Sequence, residues 1–322
     1  MRYPSLSILT ILLIIGCKSD KSSPTGVLPQ STWVPVDSGL TDFHVNALGS
    51  RNNTVFAGTY NKGVFRSSDF GAHWVQSNTG LKDPYVSSFV SDESYLFVGT
   101  ASGVFRSSTD GTNWIPAYSG LTDTIVTALA EQSGMICAGT PVGGVFFSTD
   151  HGSTWQARNS GLEYIGITSL AFHGNNLYAA TSYRAGIYVT SDYGTTWIPS
   201  RSSALDNSAY SFAVSGTDLF VGTLFSGVYL WSDLQKTWIP RDNGLPYDST
   251  RHSYGYVSPV FATQSTIFGA TPYELYYSTD RGSTWQPVNA NLPRTHADAI
   301  TVCGPYIFVG QSGSGIWRNQ TF

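Results

Sequence analysis

The stretch GVFFSTDHGSTW, residues 144–155, returns along the chain as GVFRSSDFGAHW (63–74), GVFRSSTDGTNW (103–114), GIYVTSDYGTTW (186–197), GVYLWSDLQKTW (227–238) and ELYYSTDRGSTW (274–285). The closing tryptophans are Trp74, Trp114, Trp155, Trp197, Trp238 and Trp285, so successive differences give periods of 40, 41, 42, 41 and 47. A repeat of roughly 40–50 residues with strand-like content marks a propeller blade of four antiparallel strands. Within the first repeat, residues 45–48, 54–59 and 63–67 alternate apolar and polar with the period of two that half-buried strands need, and a fourth strand begins at the Trp.

Two fragments complete the count. Thr32-Trp33-Val34-Pro35 reads as a fourth strand with no preceding three, and residues 299–319 read as three strands with no fourth. The expected architecture is therefore all-β: a single seven-bladed β-propeller of four-stranded antiparallel blades, its ring closed by the N-terminal strand completing the last blade. Closure of this kind hides both sheet edges and suits a monomeric ring.

The turn between the third and fourth strands carries the pattern Ser/Thr-Asp-x-Gly-x-x-Trp. Asp accepts hydrogen bonds from nearby backbone N–H groups, Gly supplies positive φ, and Trp buries a large ring under the turn. On these residues the chain resembles the Asp-box (BNR) propellers, a group that includes sialidases, xyloglucanases, sortilin-type receptors and single-propeller photosystem II assembly factors. In those families the boxes lie away from the ligand face, which implies that Asp69, Asp150, Asp192, Asp233 and Asp280 are structural. Two repeats depart from the pattern: Thr109 holds the Asp position in the second, with Asp110 displaced by one, and Gln235 holds the Gly position in the fifth. Those turns should be looser or differently built.

The rest of the composition narrows the function classes. Charged residues make up 12% of the chain and the formal net charge is −4. The charges are scattered singly, so there is no basic field of the kind a phosphate backbone requires, which argues against a nucleic-acid partner. Arg2, the apolar stretch 6–15 and Gly16 before Cys17 read as a secretory signal. Leu13-Ile14-Ile15-Gly16-Cys17 resembles a bacterial lipobox, which implies that Cys17 is acylated. The expected organisation is a lipoprotein signal peptide over 1–16, the lipidated Cys and a flexible polar tether over 17–30, and the propeller over 31–322. Lys18 after the Cys implies, by the same resemblance, outer-membrane anchoring in the cell envelope. Cys137 and Cys303 fall in repeats three and seven, too far apart in a ring for a disulfide, and read as small buried hydrophobes.

The connections from strand four to the next strand one, and from strand two to three, surround one mouth of the ring and form the default binding face. The first strands bring Asn46, Ser87, Thr127, Thr168, Ser211, Ser258 and Asp298 to equivalent positions. This ring either satisfies backbone groups between blades or lines a polar channel. The sixth repeat carries an insertion over 247–256 that includes Asp248, Arg251, His252, Tyr254 and Tyr256. Neighbouring loops add Tyr85, Tyr164, Tyr183 with Arg184, Tyr273 with Glu274, and Arg294 with His296. Tyrosines beside a few charged groups suit peptide contact or sugar stacking. Arg66, Arg106 and Arg318, equivalent on three third strands, read as partners of neighbouring turns.

Catalytic signals are weak. The Phe/Tyr-Arg-Ile-Pro motif of Asp-box sialidases is absent, and nothing assigns Arg184, Arg251 and Arg294 a convergent geometry. Xyloglucanase-like catalysis uses a cleft between two propellers, whereas this chain has repeats for one. Candidate carboxylates for a glycosidase pair are Asp42, Asp83, Asp123, Glu163, Asp206, Asp248, Glu274 and Asp298, spread round the ring. No metal or cofactor pattern occurs. The sequence thus points to a non-catalytic, membrane-anchored binding or assembly propeller presenting loops to a protein or peptide partner. The alternative is a carbohydrate-active protein, either a glycan-binding module or a divergent glycoside hydrolase.

Overall fold

The computed structural model describes residues 32–182, 186–200, 209–247, 249, 254, 256–288 and 291–320. All regular structure among them is strand, arranged as seven four-stranded antiparallel sheets, each in simple sequential order. Blades 1 to 6 run over 45–76, 86–116, 128–157, 167–199, 209–240 and 260–287. Blade 7 takes three strands from 297–320 and its fourth from Val34–Pro35. Val34 pairs with Arg318 and Pro35 with Trp317, and the Val36 amide donates to the Ile316 carbonyl at 2.8 Å. The N-terminal strand therefore closes the ring.

First strands of successive blades pack on one another and form the inner wall. The apolar clusters lie between blades rather than within them. One joins Val90, Phe97 and Val104 of blade 2 to Leu129, Ile136 and Trp155 of blade 3. Cys137 and Cys303 are buried, form no disulfide among the described residues and lie in two different clusters.

Except for Trp33, whose buried indole N–H has no partner among the described residues, the Trp at each fourth strand is a staple between blades. Its indole N–H donates to the preceding blade: Trp74 to the Val36 carbonyl (2.6 Å), Trp114 to Ser77, Trp155 to Ala117, Trp197 to Arg158 (each 2.8 Å) and Trp285 to Arg241 (2.7 Å). Trp238 reaches the Ser200 hydroxyl instead, at 3.1 Å. The main chain of the Trp is gripped as well, since its amide donates to the residue before the Gly-Leu turn of that preceding blade, as Trp155 does to Ser119 (2.9 Å). The turn glycine then lies against the Trp carbonyl: a Cβ on Gly120, at φ +93°, would stand 2.4 Å from the Trp155 oxygen. The recurring Gly-Leu is a steric requirement of the blade seam.

Four of the Asp turns share one geometry. Ser148 Oγ donates to Asp150 Oδ1 (2.8 Å) and accepts the Gly152 amide (2.8 Å), while Asp150 Oδ1 accepts the Thr154 amide (2.9 Å). Asp69, Asp192 and Asp280 repeat it with Ser67, Thr190 and Ser278. The amide and ring of His73 hold the Asp69 carboxyl at about 2. Slight burial pulls Asp150 upward, but the Thr154 hydroxyl and amide outweigh it and hold that carboxyl at about 2 as well.

The two departures are rebuilt as expected. In blade 2 the Thr109 hydroxyl accepts the Asn113 amide at 3.2 Å, and the displaced Asp110 pairs with Arg51 of blade 1 at 2.8 Å. In blade 5 the hairpin is tighter: Lys236 takes the left-handed conformation at φ +53°, its amide donates to the Ser232 carbonyl (2.7 Å), and Asp233 accepts the Trp231 indole (3.0 Å).

The closing strand contains a testable imperfection. Asp37 Oδ1 accepts the Ile316 amide at 2.7 Å, the role Asn78 and Asn159 play toward Val64 and Val145 at 2.8 Å. Burial raises the Asp37 carboxyl above its usual range, with the Ile316 amide opposing. A raised folded-state value means that ionisation costs stability at neutral pH, and the cost fades as pH falls towards the ordinary carboxylate range. Asp37→Asn keeps the acceptor and adds a donor, as Asn78 and Asn159 use toward the Lys62 and Gly143 carbonyls. The variant is expected to gain about 1 kcal/mol at pH 7, a gain that shrinks by pH 4 in paired thermal melts.

Candidate functional site

The two loop sets predicted to face the ring mouth do so on one side of the molecule. Three of them share a brace. Asp42 accepts the His44 amide (3.0 Å) and, across the blade, the Asn61 amide (2.8 Å). Asp83 accepts the Tyr85 amide (2.8 Å) and the Ser102 hydroxyl (2.6 Å). Asp123 accepts the amides of Ile125 (3.2 Å), Val142 (3.0 Å) and Gly143 (3.1 Å). The three candidate carboxylates thus pin the loop entering a blade to the turn between its second and third strands. The sequence shows this brace as Leu-x-Asp at Leu40-Thr41-Asp42, Leu81-Lys82-Asp83 and Leu121-Thr122-Asp123.

At Asn46, Thr127 and Thr168 the first-strand ring satisfies backbone carbonyls, whereas Ser87 meets the Ser88 hydroxyl and Asp298 meets His296. Thr127 Oγ1 donates to the Gly139 carbonyl (3.0 Å) and to Ile167 of the next blade (2.7 Å), and Asn46 donates to Val86 of its next blade (3.3 Å). Most of these residues sit at a β-bulge, as Asn46 does between Val45 and Ala47. One position needs correction: in blade 5 the register break falls between Ala209 and Ser211, so Tyr210, not Ser211, is the bulge residue. Leu205, from which the position is counted, stands eight residues after Trp197, whereas Leu162 stands seven after Trp155, and this shifts the count by one.

That correction joins two further candidates. Tyr210 packs edge-on against Tyr256 at 5.6 Å, and Tyr256 lies 5.3 Å from His296, whose Nδ1 meets Asp298 Oδ1 at 2.8 Å. Because a carboxylate only accepts, Nδ1 carries the proton, and the buried Nε2 has no partner among the described residues. Burial pushes the Tyr256 phenol well above its ordinary value, which keeps it protonated. Arg294 meets Glu274 at 3.1 Å, and Glu274 also accepts the Tyr276 phenol at 2.8 Å. Tyr254 packs on Tyr247 at 4.9 Å. These groups gather over blades 5 to 7, whereas Tyr85, edge-on to Tyr60 at 5.4 Å, and the exposed Tyr164 lie elsewhere round the mouth. Cys17, Tyr183, Arg184, Asp206, Asp248, Arg251 and His252 lie outside the described residues.

Exposed apolar side chains concentrate on this face. Of the fifteen large hydrophobic side chains exposed among the described residues, nine stand on it: Phe43, Tyr60, Ile125, Val142, Tyr164, Ile165, Phe225, Tyr247 and Tyr273. Four line the outer strands and only Tyr193 and Leu234 occupy the opposite face. Sequence reading singled out Tyr164 and Tyr273 and covered Tyr247 within the 247–256 insertion, but passed over Phe43, Tyr60, Ile125, Val142, Ile165 and Phe225, although their places in the same loops were available.

On the opposite face Arg106 and Arg318 reach the Asp turns of the next blades, donating to the His151 and Phe70 carbonyls, and each also covers a tyrosine, Tyr95 at 4.7 Å and Tyr306 at 4.4 Å. No helix among the described residues is long and apolar enough to cross a membrane, and no cluster of metal-ligating side chains occurs among them.

No family model and no curated protein matches the sequence. Solved structures do match by fold. A GH74 xyloglucanase from Xanthomonas campestris superposes with a TM-score of 0.71 at 17% identity, over 90% of this chain and 53% of that one. The extracellular domain of a putative hybrid two component system from B. thetaiotaomicron gives 0.71 at 12% identity, over 89% and 41%. This chain thus spans about half the length of those two proteins or less. YCF48 from Cyanidioschyzon merolae gives 0.68 at 16% identity, over 90% of this chain and 99% of that one, and YCF48 bound to D1 peptide gives 0.69. At these identities the likeness is one of fold: this chain folds as the same kind of single β-propeller.

Proposed function

We propose that this chain is an exported Asp-box propeller lipoprotein, anchored through Cys17 to the outer membrane, that binds a protein or peptide partner on its loop face without catalysis. The observation that carries the reading is the asymmetry of exposed apolar side chains, nine on the loop face against two on the other. Apolar surface gathered on one side of a soluble ring marks an interaction surface, and aromatic anchors dominate such contacts. The braces at Asp42, Asp83 and Asp123 support it, since they hold the loops in one conformation before binding. YCF48 bound to D1 peptide offers a precedent for a propeller of this size holding a peptide.

The carbohydrate-active alternative draws on the xyloglucanase likeness. Against hydrolysis on this face, Asp42, Asp83 and Asp123 serve backbone amides, Asp298 serves His296, and Glu274 serves Arg294 and Tyr276.

Affinity capture from the native envelope with the full chain tests the reading. Tyr164→Ala with Tyr273→Ala is expected to lower recovery of one protein partner about tenfold, while Tyr193→Ala on the opposite face leaves it unchanged. Equal recovery by all three proteins, or recovery of saccharide alone, would overturn it.

A further inference from the structure

On the face opposite the loops, blades are tied by the residue that follows the Asp position. Asp110 meets Arg51, His151 meets Asp92 at 2.6 Å, Arg281 meets Asp218 at 2.6 Å, and Phe70 packs on Tyr306 at 5.7 Å. Each contact reaches the hairpin between the first and second strands of the preceding blade. Blades 4 and 5 break the rule: their residues are Tyr193, 58% exposed, and Leu234, 93% exposed.

The seam between blades 4 and 5 holds a groove of about 530 Å3. Its walls present the side-chain amides of Asn175 and Asn176, the hydroxyl of Thr217 and the carboxylate of Asp233. Gly174 and Gly216 leave the hairpin crests low, since a Cβ at either would meet nothing within 4 Å. His173 closes the floor: it is 8% exposed and its Nε2 donates to the Thr217 carbonyl at 2.8 Å. Trp231 stands where other boxes have the capping Ser or Thr. Its half-buried indole packs on Trp238 at 5.3 Å and Tyr178 at 5.9 Å and donates to Asp233 Oδ1, while Oδ2 stands 3.9 Å from His173 Nε2.

The chemistry of this lining is specific. Amides and a hydroxyl both donate and accept, and the one carboxylate, Asp233, is offset by Lys236, whose Nζ stands 3.6 Å from Oδ1. A single carboxylate is too few for a hard cation. Neutral hydroxyl-rich rings match, because their O–H groups pair with amide, hydroxyl and carboxylate alike. The volume falls in the range of roughly 300–1,000 Å3 usual for small-molecule sites. Hydrolysis needs two carboxyl groups flanking the bond, and the groove has one. We propose that the groove between blades 4 and 5 is a saccharide-binding site, separate from the loop face and without hydrolytic chemistry.

Saturation-transfer NMR on the full chain tests it, with cellotetraose, maltotetraose and chitotetraose as probes. Transfer is expected to at least one probe, weakened about tenfold in affinity by Asn175→Ala and by Thr217→Arg, and unchanged by Tyr164→Ala with Tyr273→Ala. Thr217→Arg fills the groove yet keeps the carbonyl that holds His173, so its melting temperature should match the parent's. No transfer to any probe, or transfer indifferent to both groove substitutions, would overturn the groove site. Transfer lost only on substitution of the two loop-face tyrosines would assign the sugar to the other face and overturn it equally.

Discussion

Deleting residues 31–37 is expected to lower the melting temperature by about 10 °C or more, or to abolish cooperative melting. The segment supplies the fourth strand of blade 7, the buried ring of Trp33, and the Val36 carbonyl that receives the Trp74 indole. It also supplies the Trp33 carbonyl that accepts from Asn291 and the Asp37 carboxylate under Ile316. Losing one buried Trp costs about 3–5 kcal/mol, against a total stability of roughly 5–15 kcal/mol for a domain. Stripping the strand also bares the edge of residues 315–320, which invites pairing with other chains. A shortened chain that melted within a degree or two of the parent would show that the ring does not depend on this closure.

Gly120→Ala is expected to cost about 3–5 kcal/mol, while Gly134→Ala costs about 1–2 kcal/mol. Both glycines have positive φ, +93° and +82°, so the intrinsic penalty of the left-handed backbone is shared. They differ in surroundings: a Cβ at 120 meets the Trp155 carbonyl at 2.4 Å, whereas at 134 nothing stands within 4 Å. The Trp carbonyl is part of the seam and cannot move without loosening the indole staple to Ala117. Urea unfolding of the two variants measures the difference directly. Equal losses would mean that the Gly-Leu turn is kept for backbone conformation alone.

The fold was legible because each blade repeats its own physics. Asp, Gly and Trp at fixed spacing report one turn, and an orphan fourth strand at one end matches three orphan strands at the other. Thr109 and Gln235 were readable as departures for the same reason, since a repeat defines what its members should do. The site was less legible. Tyr256, His296 and Asp298 come from two blades, and Tyr210 joins them from a third, so no spacing in the chain announces their contact. The count to Ser211 failed because Leu205 is displaced by one residue within a connection of ordinary length, and a bulge is invisible to a two-residue period. The carboxylate braces were written in the sequence as Leu-x-Asp, but a carboxylate that serves backbone amides looks the same in sequence as one waiting for substrate. The apolar face was hidden by scatter: its nine residues lie between positions 43 and 273, and only the ring brings them to one side.

The most direct test of the account places a photo-crosslinking amino acid in the full chain at position 164, 273 or 193 and irradiates the native envelope. Adducts to one and the same protein from positions 164 and 273, with none from 193, are the expected result. Adducts formed from 193 as readily as from the loop positions, or none from 164 and 273, would contradict the assignment of the loop face as the partner-binding surface.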